Sequence, residues 1–194
     1  MNEEITDSEL VMACLQGDAV SERLLYSRFA AKMLGVCRRY AKSIEEAEDI
    51  LQEGFVTVFT KLSQFRMEGS LEGWIRRIMV SRAIESYRKQ SRIFPMTDME
   101  GLEERIPGSD DVLNTLSAKD LLAMIDQLPA MQKIVFNLYI FEDMGHDEIA
   151  AKLKIPAGTS KSTLYYARLS LRKKINQSML AIQNYEPNER ALAK

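Results

Sequence analysis

A cluster of cations near the end of the chain has the residue types and spacing for binding phosphates. Residues 155–174 include five basic residues and no acidic one. Leu164, Ala167 and Leu171 recur at helical spacing and predict the buried face of a helix. The other side chains then face outward, where cations can contact phosphates and polar or aromatic groups can contact base edges. We predict a DNA-contacting face of eight residues: Thr159, Lys161, Ser162, Thr163, Tyr165, Tyr166, Arg168 and Arg172.

The segment before this basic helix predicts a helix-turn-helix. Residues 147–153 have a short amphipathic pattern, and Pro156 drives Ile155 out of the α region. A second helix is then expected to begin near Ala157. Two helices joined by so tight a turn are what a motif that reads the major groove requires. A solvated basic helix end in a bundle is the simpler alternative, and the motif alone does not distinguish a repressor from an initiator.

A second basic helix is predicted after Ser70, with a loop before it. Charge that follows phosphates, next to ring or apolar surfaces that receive splayed bases, suits single-stranded nucleic acid. We expect Trp74 in the core because it lies on the apolar stripe, whereas Phe65 fits a base contact and a core-closing role equally well. The predicted strand-binding residues are Phe65, Arg66, Arg77, Ser81, Arg82, Glu85 and Arg88.

Carboxylates concentrate on the helix that is predicted to begin after Ser43, here called the acidic helix. Glu45 and Glu46 stand at its start, where they complement the helix dipole. That explanation hardly covers Asp49, Gln52 and Glu53 farther along. Because carboxylates repel phosphates, we expect this face to bind a basic protein surface.

The charged helices belong to a chain that is nearly neutral overall. Its 194 residues have a formal net charge of -2, with 46% hydrophobic and 28% charged residues, as in folded soluble proteins. The start, MNEEITDSEL, does not resemble a secretory signal. No stretch approaches the roughly 20 apolar residues of a membrane helix. We therefore expect a cytoplasmic protein with no membrane insertion.

The sequence offers no constellation for catalysis. Cys14 and Cys37 lack the spacing of a metal site or a disulfide framework, and no phosphate-binding glycine loop is present. His146 is the only histidine, and we expect it on the surface of a first helical turn. We predict no enzyme activity, no metal and no cofactor.

Apolar spacing is helical almost throughout, which predicts an all-α fold of two small helical domains joined by a flexible linker. The expected N-caps are Asp7, Asp18, Ser43 and Ser117, and Ser70 is expected to begin another helix. The periodicity lapses where proline, glycine and acidic residues accumulate. The predicted divisions are a first domain at 1–92, an acidic linker at 93–116, a second domain at 117–184 and a flexible tail at 185–194.

Two segments together resemble one protein family. AEDILQEGFVTVFTKLSQFRMEGSLEGWIRRIMVSRAIESYRK, residues 47–89, resembles region two of bacterial RNA polymerase sigma factors of the extracytoplasmic-function (ECF) group. LPAMQKIVFNLYIFEDMGHDEIAAKLKIPAGTSKSTLYYARLSLRKKI, residues 128–175, resembles region four. Each segment alone is moderately specific. The two in the family's order are a strong indication.

The resemblance implies a transcription initiation factor that binds core RNA polymerase and directs it to promoter DNA. Asp49, Gln52 and Glu53 would contact the polymerase. The second basic helix and its loop would melt and read the minus-ten element as a single strand, and the helix-turn-helix would read the minus-thirty-five element. Such proteins often have an anti-sigma factor as a further partner.

The chain departs from the family pattern at several positions. The family usually has glycine at Lys154, and commonly has valine at Ser160 and asparagine at Ser81. It also commonly has arginine at Thr163 and Tyr166, so a different promoter sequence is expected. The main alternative is a helix-turn-helix regulator that binds duplex DNA as a dimer, which leaves the second basic helix and the acidic helix unexplained. An interaction protein that mimics a sigma factor is another.

Overall fold

The computed structural model describes residues 5–93 and 117–185. The chain divides into two compact units, Met1–Met96 and Thr97–Lys194. All regular elements in the described ranges are helices, which confirms the predicted all-α fold in two helical units. The predicted linker, apart from Ile93, and the predicted tail, apart from Tyr185, lie outside the described residues.

Four α-helices and one short 3-10 turn form the described part of the first unit. Their bounds are α1 Asp7–Leu15, α2 Ala19–Arg38, α3 Ile44–Lys61, the 3-10 turn Leu62–Gln64 and α4 Leu71–Ile93.

The first helix begins one residue earlier than predicted. Thr6, not Asp7, is the N-cap, because Thr6 and Glu9 form a capping box. The Thr6 hydroxyl accepts the Glu9 N–H at 3.3 Å, and the Glu9 carboxylate accepts the Thr6 N–H at 2.9 Å. This satisfies two donors at once, so Asp7 is free to pair with Arg28 at 2.9 Å.

The predicted caps of α2 and α3 are confirmed. Asp18 accepts from two N–H groups at the start of α2, and Ser43 accepts from the Glu46 N–H. The Glu46 carboxylate does not return to Ser43. It accepts from the Lys42 N–H at 2.8 Å and from the side-chain amide of Gln90 at 2.6 Å. Glu46 therefore ties the start of α3 to the later part of α4.

A close approach of α3 to α4 completes an apolar core. Met33, Val58, Ile75 and Met79 are among its fully buried side chains. Gly54 lies on α3 where an added Cβ would overlap the Met79 sulfur. A glycine at this position therefore lets the two helices pack closely.

Between residues 117 and 185, four further helices belong to the second unit. Their bounds are α5 Ala118–Asp126, α6 Ala130–Ile140, α7 His146–Leu153 and α8 Ala157–Tyr185.

The second unit has a smaller core. Ser117 and Asp120 form a capping box at the start of α5, as predicted. Ile125 and Leu128 pack with Ala167 of α8 in a buried cluster. Phe136, Phe141 and Leu171 pack against this cluster.

The turn between α7 and α8 is short, as predicted. Lys154 ends α7 in the left-handed region, at φ 58° and ψ 48°. The Ile155 N–H then bonds to the Ala150 carbonyl at 3.1 Å, and α8 starts directly after Pro156. A lysine thus adopts a conformation that glycine adopts more readily.

Within residues 5–93 and 117–185, no helix is both long and apolar enough to span a membrane.

Candidate nucleic-acid interface

Helices α3 and α4 line a pocket of about 290 Å³ on the first unit. The residues from α4 repeat at helical spacing, so they share one face of that helix. Four predicted strand-binding residues meet here, namely Arg77, Ser81, Arg82 and Glu85. The other lining residues are Thr57, Lys61, Trp74 and Ile78.

Two hydrogen bonds hold the side chain of Arg82, one of the cations of the pocket. The Arg82 Nε donates to the Thr57 hydroxyl at 2.9 Å, and its Nη1 donates to the Glu85 carboxylate at 2.8 Å. The Thr57 hydroxyl in turn donates to the Glu53 carbonyl at 2.8 Å. These bonds fix the guanidinium against the pocket wall.

Trp74 does not lie where it was expected, whereas Phe65 takes the core-closing one of its two expected roles. Trp74, expected in the core, is half-buried and lines the pocket. Phe65 is buried with 9% exposure, and its ring centre lies 5.5 Å from that of Trp74. The Phe65 ring therefore packs against Trp74, because closing the core under the loop buries more apolar surface than exposing the ring.

Two other predicted strand-binding residues lie outside the pocket lining. Arg66 is exposed in the loop before α4, next to Met67, which has a φ of 57°. Arg88 is half-buried on α4, one turn beyond Glu85. Both are placed on the segment that the sequence indicated, beside the pocket residues rather than among them.

The residues of the predicted acidic face lie close together on α3. Asp49, Gln52 and Glu53 are all exposed, while Ile50 of the same helix is buried. Val56 continues the exposed face and has 67% of its surface accessible. Val56 is not part of the predicted face, although its spacing of three and four residues from Glu53 and Gln52 places it on the same side of the helix.

Helix α8 presents most of its predicted DNA-contacting residues to solvent. Leu164 and Ala167 are buried, as predicted, and Leu171 is half-buried. Thr163 and Tyr166 are half-buried, at the edge of the exposed face. The exposed residues are Thr159, Lys161, Ser162, Tyr165, Arg168 and Arg172.

His146 begins α7, as predicted, but it is not a fully exposed surface residue. Its ring is half-buried, stacked on Tyr139 with centres 4.9 Å apart, and its Nδ1 lies 3.0 Å from the Ser160 hydroxyl. Ser160 is completely buried, so its hydroxyl requires a partner. The Arg168 guanidinium lies 5.5 Å from the centre of the Tyr139 ring. His146 thus joins α6, α7 and α8.

Neither cysteine is poised as a nucleophile. Burial raises the pKa of the Cys37 thiol to about 12. The pKa of Cys14 is also raised, first by burial and then by the charges of Glu22 and Asp18. Among the residues that the structure describes, no cluster of histidine, cysteine and carboxylate side chains could hold a metal ion.

Comparison with known proteins identifies both units. The family model of sigma-70 region 2 matches residues 25–93, and that of sigma-70 region 4 matches residues 118–171. The chain is 27% identical to the ECF RNA polymerase sigma-E factor of Escherichia coli (strain K12), over 90% of this chain and 97% of that protein. The chain belongs to the ECF group of RNA polymerase sigma factors. The sigma-E factor of Haemophilus influenzae is 29% identical, over 92% of this chain and all of that protein.

Two solved structures are also similar to this sigma factor. One is the sigma factor RpoE in complex with the anti-sigma factor NepR from Bartonella quintana, with a TM-score of 0.46 and 19% identity, covering 78% of this chain and 94% of that one. The other is CnrH in complex with the cytosolic domain of CnrY, with a TM-score of 0.47 and 16% identity, covering 88% of this chain and 97% of that one.

Membership of this family decides between the functions that the sequence left open. An ECF sigma factor is a polymerase-binding transcription initiation factor, so its partners are core RNA polymerase and promoter DNA. This excludes the alternative of a dimeric regulator that binds duplex DNA without being a polymerase subunit.

Proposed function

We propose that the pocket between α3 and α4 captures a base of the melted minus-ten element. Its volume of about 290 Å³ is at the small end of ligand pockets, which suits one unpaired base rather than a base pair. Trp74 offers a ring for stacking, while Arg77 and Arg82 supply positive charge. Stacking on an aromatic ring contributes about 1–3 kcal/mol per base. The grouping of these side chains around one pocket is the observation that carries the proposal.

The remaining residues of this surface follow the backbone of the opened strand. Arg66 and Arg88 lie on the loop and helix that flank the pocket, where their cations contact phosphates. Phe65 acts indirectly, because its buried ring supports Trp74.

The acidic face of α3 binds core polymerase in this proposal. Asp49, Gln52 and Glu53 point to solvent together, and carboxylates at this spacing complement a basic protein surface. Val56 adds an exposed apolar contact to the same face. The same helix contributes Thr57 and Lys61 to the pocket, so polymerase and the opened strand contact neighbouring turns.

Helix α8 reads the minus-thirty-five element as duplex. Its first turns expose Lys161, Ser162 and Tyr165, whose side chains suit base edges in the major groove, with Thr159 at the start. Arg168 and Arg172 lie farther along and suit phosphates. Thr163 and Tyr166 flank the face and make fewer contacts.

We further propose that residues 1–92 and 117–184 are the functional domains, joined by the segment 93–116. The protein acts in the cytoplasm, where polymerase and the genome meet, and catalyses no reaction itself. An anti-sigma factor is a candidate regulator that competes for these surfaces.

Transcription assays with the full chain and core polymerase test these assignments. Arg77→Ala should reduce initiation on duplex promoters and binding of the opened strand, with unchanged affinity for the upstream duplex. Lys161→Ala should reverse the two binding effects: it should weaken binding of the upstream duplex and leave binding of the opened strand unchanged. Asp49→Ala should weaken polymerase binding while leaving the circular dichroism spectrum unchanged.

Arg23→Ala is the matched control, since Arg23 is an exposed arginine of α2 outside these surfaces. Equal losses from Arg77→Ala and Arg23→Ala would show that only overall charge matters, and would contradict the pocket assignment.

A further inference from the structure

We infer that Thr57 is a positioning residue that sets the base selectivity of the pocket, and that it links the pocket to the polymerase-binding face of α3. The inference rests on the proposed function of both surfaces. Thr57 has only 8% of its surface exposed, and both bonds of its hydroxyl are to groups of the protein. It donates to the Glu53 carbonyl and accepts from the Arg82 Nε.

The Thr57 hydroxyl determines where the Arg82 guanidinium stands. A guanidinium is a planar fork with five N–H donors. Two of these donors are used, one toward Thr57 at 2.9 Å and one toward Glu85 at 2.8 Å. The others remain for acceptor atoms in the pocket that Arg82 lines. Two anchors fix the plane of the fork, so a base is read by a preorganised donor set.

A fixed fork discriminates between bases better than a mobile one. A base edge with acceptors at the matching positions satisfies the remaining donors, whereas a base with a donor there leaves them unpaired. A mobile arginine can move away from a mismatched base. Holding Arg82 therefore affects selectivity more than total affinity.

The same hydroxyl connects this fork to the acidic face. Its acceptor is the backbone carbonyl of Glu53, and the side chain of Glu53 is exposed beside Asp49 and Gln52. One turn of α3 thus carries both a polymerase contact and the anchor of Arg82. Polymerase binding that orders this turn also orders the donor set of the pocket.

Three threonine variants separate the hydroxyl from its surroundings. Thr57→Val removes the hydroxyl and keeps the β-branched shape, whereas Thr57→Ser keeps the hydroxyl. Thr60→Val is the matched control. The Thr60 hydroxyl donates to the Val56 carbonyl at 2.7 Å, just as Thr57 does to Glu53, but Thr60 is exposed and lies outside the pocket lining.

The assay measures holoenzyme binding to end-labelled minus-ten single strands in which each base is replaced in turn. Thr57→Val should reduce the ratio of affinities between preferred and replaced base by a factor of about 5–30, the size expected for losing one or two such contacts. Thr57→Ser and Thr60→Val should stay close to the unmodified chain. Arg82→Lys, which keeps the charge without the fork, should reproduce the loss of discrimination even if Thr57→Val folds poorly.

The outcomes distinguish this inference from the proposed function. Unchanged discrimination in Thr57→Val, or an equal loss in Thr60→Val, would overturn the role of Thr57. If Arg77→Ala weakens strand binding in the same assay, the pocket assignment survives that result. If Arg77→Ala also has no effect, the pocket is not the strand site and both proposals fail.

Discussion

The two units position their proposed DNA-binding helices in opposite ways. In the first, α4 packs against α2 and α3, and its cations surround a pocket in which Arg82 is held by Thr57 and Glu85. In the second, α8 exposes Lys161 and Arg172 along one helical face. A concave site suits an unpaired base, which must be enclosed and fixed. A protruding helix suits an intact duplex, whose groove must be entered.

The units also differ in what holds them together. Most of the buried apolar side chains of the described chain belong to the first unit. The second has a smaller apolar core and a polar junction, where His146 contacts both Tyr139 and the buried Ser160. We therefore expect the first unit to respond most to changes in packing and the second to changes in polar contacts and backbone strain.

The largest effect is expected from Gly54→Val. The new side chain would overlap the end of the Met79 side chain, which is fully buried and must shift within the core to admit it, so the free energy of unfolding should fall by about 2–3 kcal/mol. Urea unfolding of the full chain measures this loss, and hydrogen exchange locates it in the first unit.

Gly35→Ala is the control for this change. Open space surrounds Gly35 in α2, so alanine should stabilise that helix by up to about 1 kcal/mol. Faster exchange throughout residues 118–171 in Gly54→Val would contradict the separation between the units.

His146→Ala should destabilise the second unit by about 2 kcal/mol. It removes the stacking on Tyr139 and leaves the buried Ser160 hydroxyl without its histidine partner. Ser160→Ala should cost less, since the half-buried His146 ring retains access to water. A double-mutant cycle should give a coupling of at least about 0.5 kcal/mol, and strict additivity would show that the bond contributes nothing.

Lys154→Gly should stabilise the second unit by about 1 kcal/mol. Lysine is strained at the φ of 58° that the turn before α8 requires, and glycine is not. Lys152→Gly, within α7, should instead destabilise the unit by a similar amount. Both variants lose a lysine charge, but only Lys154→Gly relieves backbone strain. Differential scanning calorimetry of the two variants therefore separates the effect of strain from the effect of charge.

The smallest effect is a loss of stability in alkali that originates in the first unit. The pKa of Cys37 is about 12 when folded, against about 8.5–9 when exposed, so above pH 9 the unfolded chain releases this proton and the folded chain retains it. With the exposed thiol at a pKa of 9, the free energy of unfolding should therefore fall by about 0.8 kcal/mol between pH 8 and 9.5. Cys37→Ala should lack this part of the decline, and an identical pH profile would rule out the linkage.

Local sequence signals predicted the helices and most of their starts. Asp18, Ser43 and Ser117 cap as expected because each needs only N–H groups two or three residues away. The first cap was misplaced by one residue, since two capping polar residues stand side by side at Thr6 and Asp7 and only the spacing to Glu9 decides between them.

The pocket could be predicted only in part. Helical spacing brought Arg77, Ser81 and Glu85 to one face of α4, but Thr57 and Lys61 reach the pocket from another helix. Their approach depends on how closely α3 and α4 pack, which no local pattern encodes. The junction of His146 with Ser160 was missed for the same reason, although a serine where the family commonly has valine indicated that a partner was needed.

The single tryptophan of the chain, Trp74, lies on the pocket wall, in ring contact with Phe65. Its intrinsic emission should therefore change when a base stacks on it, without any dye attached to the protein. Rapid mixing of holoenzyme with promoter then follows strand capture in real time, as the part of the signal that a Trp74→Phe holoenzyme lacks, before the first phosphodiester bond of the transcript is made.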